Sequence, residues 1–107
     1  MEVYHASTMV VESPDTMHSR AFLDFGPGFY VTTLQDQAMK YGARFTYRGK
    51  EAFLNTYELA DDLYFAGDIS KEECLRRLIF EEPNNQICIR SQQVLNECLT
   101  FKESQRL

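Results

Sequence analysis

Apolar, aromatic and β-branched positions gather in four short runs that read as strands. The first is Glu2-Val3-Tyr4-His5-Ala6-Ser7 and the second Phe29-Tyr30-Val31-Thr32. Ala52–Leu59 is the third, and Gln86–Arg90 alternates so that Ile87 and Ile89 share one face. Between the second and third runs the period changes. Leu34, Ala38 and Tyr41 recur at helical spacing, which predicts a helix from Leu34 to about Arg44 with Gly42 near its end. A second helix is predicted from Ser70-Lys71-Glu72-Glu73, a capping box, with Cys74, Leu75, Leu78 and Ile79 on its apolar face. A shorter one runs from Asp61 to Ala66 and stops at Gly67. The last helix opens at Ser91 and carries Val94, Leu95, Cys98 and Phe101, after which Lys102–Leu107 is expected to fray.

The connections have their own chemistry. Asp24-Phe25-Gly26-Pro27-Gly28 is a tight turn that delivers the Phe29–Thr32 strand, and Thr33 is the expected cap of the helix that follows, with Asp36 in its first turn. Ser13-Pro14-Asp15 leads into a surface loop in which Met17, Phe22, Leu23 and Phe25 pack on one another. Gly49 and Glu81–Asn85 mark further turns. The elements sum to one α+β domain spanning residues 1–107, with no repeat or linker.

Composition narrows the function classes. The chain is 44% hydrophobic and 13% aromatic, which fits a folded protein. A net charge of −5 disfavours a nucleic-acid backbone as the main partner. No run of about 18 apolar residues exists for a membrane span, and the start lacks the basic and apolar regions of a signal peptide. Cys74, Cys88 and Cys98 form no pair and no metal-ligand spacing, so buried, reduced thiols in a cytoplasmic protein are expected, with no metal.

Three anchors carry candidate chemistry: His5-Ala6-Ser7 closing the first strand, Gly28-Phe29-Tyr30 opening the second with Tyr41 on the next helix, and Asn85-Gln86-Ile87 beginning the late strand. Taken locally, His5 reads as a half-buried strand histidine bonded to backbone, and Tyr41 as a core residue. Taken together, the anchors resemble the diphtheria-toxin-like, poly(ADP-ribose)-polymerase-like branch of the ADP-ribosyltransferases. That branch has a His-Gly-Ser or His-Gly-Thr strand, then Phe-Gly-x-Gly-x-Tyr before a helix with a second tyrosine, then a late strand opening on a glutamate. The chain is also similar to a family of small uncharacterised bacterial proteins with this fold, through Tyr4–Ser7, Ser19-Arg20, Leu23–Thr33, Phe65–Leu78 and Asn84–Phe101.

The resemblance implies an ADP-ribosyltransferase-like split β-sheet with flanking helices, and NAD as substrate. His5 would bond a ribose hydroxyl, the Ala6 backbone would hold the nicotinamide carboxamide with Ser7 beside the ribose, and Tyr30 and Tyr41 would sandwich the ring. Arg20 and Gly28 complete the NAD-contacting set, and Gln86 stands in the glutamate's place, so that His5, Tyr30 and Gln86 form the implied catalytic set. Flat aromatic walls and fixed hydrogen bonds suit a reaction in which nicotinamide leaves through an oxocarbenium-like state.

Three departures stand beside this. Ala6 replaces the motif glycine, Ala38 replaces a serine, and Gln86 cannot ionise, which points to single transfer to a protein or nucleic-acid acceptor, or to an inactive interaction module of the kind found in toxin–antitoxin pairs. Relatives also carry a segment with a central strand between the positions of Glu58 and Asp61. This chain is shortened there, which predicts exposed sheet edges that a homodimer would cover.

Overall fold

The computed structural model describes residues 1–15, 28–60, 86–89 and 92–107, with the backbone alone at Gln86 and Cys88. Its elements in chain order are β1 (Glu2–Ser7), β2 (Phe29–Thr32), α1 (Gln35–Tyr47), β3 (Phe53–Leu59), β4 (Gln86–Ile89), α2 (Gln92–Cys98) and β5 (Leu99–Arg106). The strands form one five-stranded sheet in the order β4-β2-β1-β3-β5. Every neighbouring pair is antiparallel. The expected helices at Asp61–Ala66 and Ser70–Ile79, with Cys74, lie outside the described residues, as do Arg20 and the turn up to Pro27.

Strand alternation divides the core in two. Val3, Phe29, Val31, Tyr57, Leu59, Ile87 and Ile89 share one face, where α2 packs Val94, Leu95 and Cys98 onto them. Ile87 and Ile89 therefore lie as their spacing predicts, and Cys98 is buried. On the opposite face α1 buries Ala38, Gly42 and Phe45. The stripe differs from the predicted Leu34, Ala38 and Tyr41. Leu34 is 47% exposed and Tyr41 37%, because the close approach of α1 to the sheet centres on Gly42. A Cβ built there meets the Leu107 Cδ1 at 2.6 Å and the Ala6 Cβ at 3.3 Å. Leu107 can swing aside, but a branched side chain would press on Ala6 as well. Gly42→Val is expected to cost about 1–3 kcal/mol, read as a lowered urea midpoint with an unchanged slope.

Both ends of α1 shift from expectation. Thr33 does not cap it. Leu34 is the N-cap position and makes no side-chain cap bond. Instead the Thr32 hydroxyl accepts from the Leu34 amide at 3.1 Å and donates to Gln37 Oε1. The strand's last residue thus does the work of a cap. At the other end the helix runs past Arg44, where its end is expected, and continues to Tyr47 before Gly49 turns the chain at φ +77°.

The C-terminal residues overturn two expectations. Phe101 is not on the last helix, and Lys102–Arg106 do not fray, since all belong to β5, paired with β3 from Leu59↔Leu99 to Phe53↔Arg106. The register slips between Thr56 and Tyr57, which face Glu103 and Phe101, so Lys102 is the extra residue of a bulge. β3 is thereby paired on both sides, with β1 and with the chain's own β5.

Candidate functional site

Interstrand register builds the site. On β1 and β2, Tyr4 stands opposite Thr32, which sets Ala6 in line with Tyr30. On β2 and β4, Thr32 faces Gln86 and Tyr30 faces Cys88. Tyr30 and Gln86 are therefore diagonal neighbours on adjacent strands, a separation of roughly 7–8 Å between such positions. Alternation turns Tyr30, like Thr32, toward the face that holds α1, the helix bearing Tyr41. Tyr41 itself stands edge-on to Phe45 at 5.5 Å, with the Arg44 guanidinium over its ring.

His5 takes the other side. Its ring lies against Phe29, centroids 4.3 Å apart, while Nδ1 donates to the Tyr30 carbonyl at 2.6 Å. The carbonyl fixes the tautomer, so Nε2 of the neutral ring is an acceptor. This is the half-buried, backbone-bonded strand histidine of the local reading. The structure thus joins His5 to the Tyr30 backbone but sets the two rings on opposite faces. It gathers Tyr30, the Gln86 position and α1 on one side.

Burial holds the His5 imidazole below its ordinary pKa, and the bond to Tyr30 offsets this only in part. The unfolded chain therefore takes up the proton first as pH falls. The stability His5 confers in its neutral form is complete above about pH 6.5 and declines as pH drops from there through the folded value. Urea midpoints of the wild type should fall between about pH 7.5 and 5.5 more than those of His5→Asn. Equal slopes for the two proteins would discard this account.

The methyl of Ala6, where the resemblance has glycine, is 5% exposed and sits beneath Gly42. It is absorbed by the α1 contact. Ser7 ends β1, its hydroxyl 3.4 Å from the Met9 amide. Gly28 is buried just before β2. A shallow depression of about 520 Å³ opens at the start of α1, lined by Thr33, Leu34, Gln35, Asp36, Gln37 and Lys40. Among the described residues no group of three His, Cys, Asp or Glu side chains could hold a metal ion. No described helix is long and apolar enough to cross a membrane.

Two residues that sequence reasoning passed over brace this region. Asn55, fully buried and opposite His5, donates to the carbonyls of His5 at 3.2 Å and Met9 at 3.3 Å and accepts from the Val11 amide at 3.1 Å. Tyr57 donates to the Val11 carbonyl at 2.6 Å and meets Phe29 edge-on at 5.6 Å. An asparagine inside an aromatic strand was the available signal, because such a residue needs buried partners.

No curated protein matches the chain. No solved structure matches it either. The model of one family, described as protein of unknown function (DUF3990), matches residues 1–64, which hold β1, β2, α1, β3 and thus His5, Tyr30 and Tyr41. The chain belongs to the DUF3990 family of proteins of unknown function.

Proposed function

We propose that the chain is an NAD-binding, ADP-ribosyltransferase-like protein that moves a single ADP-ribose unit to a protein or nucleic-acid acceptor. The observation that carries the reading is the His5 Nδ1 bond to the Tyr30 carbonyl, which locks the two motif strands at the point where both motifs meet. The Tyr30–Gln86 register and the α1 face that bears Tyr41 add to it. In this reading Tyr30 and Tyr41 stack the nicotinamide ring, the Ala6 backbone binds its carboxamide, and His5, whose ring lies on the other face of the sheet and so does not reach the ribose, positions Tyr30 through its bond to the Tyr30 carbonyl. Gln86 orients a hydroxyl by hydrogen bonding. It supplies no carboxylate, in keeping with single transfer rather than chain extension.

Calorimetric titration with NAD, followed by assay of free nicotinamide, tests the proposal. Heat of binding and slow release are expected, and Tyr30→Ala should abolish both while leaving the circular dichroism spectrum unchanged. No heat and no nicotinamide at millimolar NAD would reject it. One observation favours a second reading, a non-catalytic interaction module. The His5 ring lies across the sheet from Tyr30, against Phe29. That reading predicts the negative result in both assays.

A further inference from the structure

The outward side of α1 differs in charge from the rest of the chain. Four of the eleven basic residues, Lys40, Arg44, Arg48 and Lys50, but one of the sixteen acidic residues, Asp36, fall within Gln35–Lys50. That segment is +3, and the remainder of a chain of net charge −5 is therefore −8. Lys40, Arg44 and Arg48 stand at i, i+4 and i+8, one row along the helix and its C-cap, with steps of about 6 Å. All are exposed, and Asp36 heads the same row, one step before Lys40, so that the row is purely cationic from Lys40 onward. Beside it, Tyr47 is 93% exposed, an unusual position for a large aromatic ring. Lys40, Ala43, Arg44, Tyr47 and Arg48 together line a shallow groove of about 470 Å³.

We infer that this ridge binds single-stranded nucleic acid, with the row of cations along the phosphates and Tyr47 stacked on a base. Spaced positive charge tracks a phosphate backbone, and a flat exposed aromatic ring beside it offers a stacking platform. The Arg44 guanidinium, held 5.5 Å over the Tyr41 ring, is kept on the ridge. An anionic membrane fits less well. An interfacial helix needs its apolar face for insertion, and that of α1 is spent on the sheet through Ala38, Gly42 and Phe45. An acidic protein would satisfy the cations but leave the Tyr47 ring without a flat partner. The local ridge overrides what the whole-chain charge suggests. As a route for an acceptor, the ridge rests on the NAD reading. As a binding surface it does not.

Fluorescence anisotropy with a fluorescein-labelled oligothymidylate of about twelve nucleotides tests the inference without NAD. Binding at low salt is expected, with the logarithm of affinity falling against that of salt at a slope of about −2 to −3, as for three or four phosphates. The triple variant Lys40→Gln, Arg44→Gln, Arg48→Gln should lose about tenfold or more and flatten the slope. Tyr47→Ala should lose about tenfold with the slope unchanged. All four side chains are exposed, so the fold should survive, as circular dichroism will check. Absence of binding at low salt, insensitivity to either variant, or equal displacement of the probe by polyglutamate or by phosphatidylserine vesicles would overturn the inference. Oligonucleotide binding without nicotinamide release would sink the transferase reading alone, and the converse the ridge alone.

Discussion

Asn55→Leu is expected to lower the unfolding free energy by about 3 kcal/mol, the largest effect of any polar substitution proposed for this chain. The side chain is wholly buried and serves three backbone groups, the Val11 amide and the carbonyls of His5 and Met9. Leucine keeps the branched outline with somewhat more bulk but leaves all three without this partner, and each such buried group costs about 1–3 kcal/mol. The groups at Met9 and Val11 lie on a partly exposed loop and can regain water, so the sum stays near the lower end. Asn55→Asp tests the same point differently. It keeps the shape and the acceptor but removes the donor and sets a carboxyl group against two carbonyls. Its loss should be comparable at neutral pH and shrink as acid protonates the carboxylate. Urea denaturation measures both. A loss below about 1 kcal/mol for Asn55→Leu would show that the loop is not held this way.

Tyr57→Ala should cost about 4 kcal/mol, and Tyr57→Phe only about 1 kcal/mol. The residue is the hub of an aromatic row, edge-on to Phe29 at 5.6 Å and to Phe101 at 5.8 Å, with Phe29 in turn against His5. Truncation opens a cavity where β1, β2, β3 and β5 share core, and the neighbours cannot collapse into it without moving strands. The phenylalanine variant keeps the packing and removes only the bond to the Val11 carbonyl. Burial pushes the Tyr57 hydroxyl well above its ordinary pKa, so it remains a donor throughout the usable range. Equal losses in the two variants would mean that the hydrogen bond, not the ring, dominates.

The two residues clamp one loop peptide, since Asn55 takes the amide of Val11 and Tyr57 its carbonyl. The asparagine in an aromatic strand signals a need for partners, but the sequence does not name them for either residue, since they lie 44 and 46 positions away. What was legible is local. The aromatic and β-branched runs are strands where expected, and the Gln86–Ile89 alternation turns Ile87 and Ile89 inward. β5 was hidden for two reasons. Phe101 follows Cys98 by three positions, which continues a helical stripe as well as it starts a strand. The bulge at Lys102 then breaks the alternation that would have revealed pairing. The helix start was misplaced by one residue and its cap given to Thr33 because threonines stand at both 32 and 33, and only the tertiary reach of Thr32 to Gln37 separates them. Within the candidate site, residue order pointed to His5, Tyr30, Tyr41 and Gln86. The side of the sheet each ring takes followed from register, which no local pattern encodes.

The strand order has a kinetic consequence. β1 is the middle strand, yet its neighbours are formed by Phe29–Thr32 and Phe53–Leu59, and β3 in turn waits for Leu99–Arg106. Most of the sheet therefore closes between residues far apart in the chain, Phe53 with Arg106 among them. Such high contact order places folding on a scale of milliseconds to seconds rather than microseconds. Until β5 arrives, β3 presents a bare edge and the apolar Tyr57 and Leu59, which is the interval in which the chain is most open to association with a second copy.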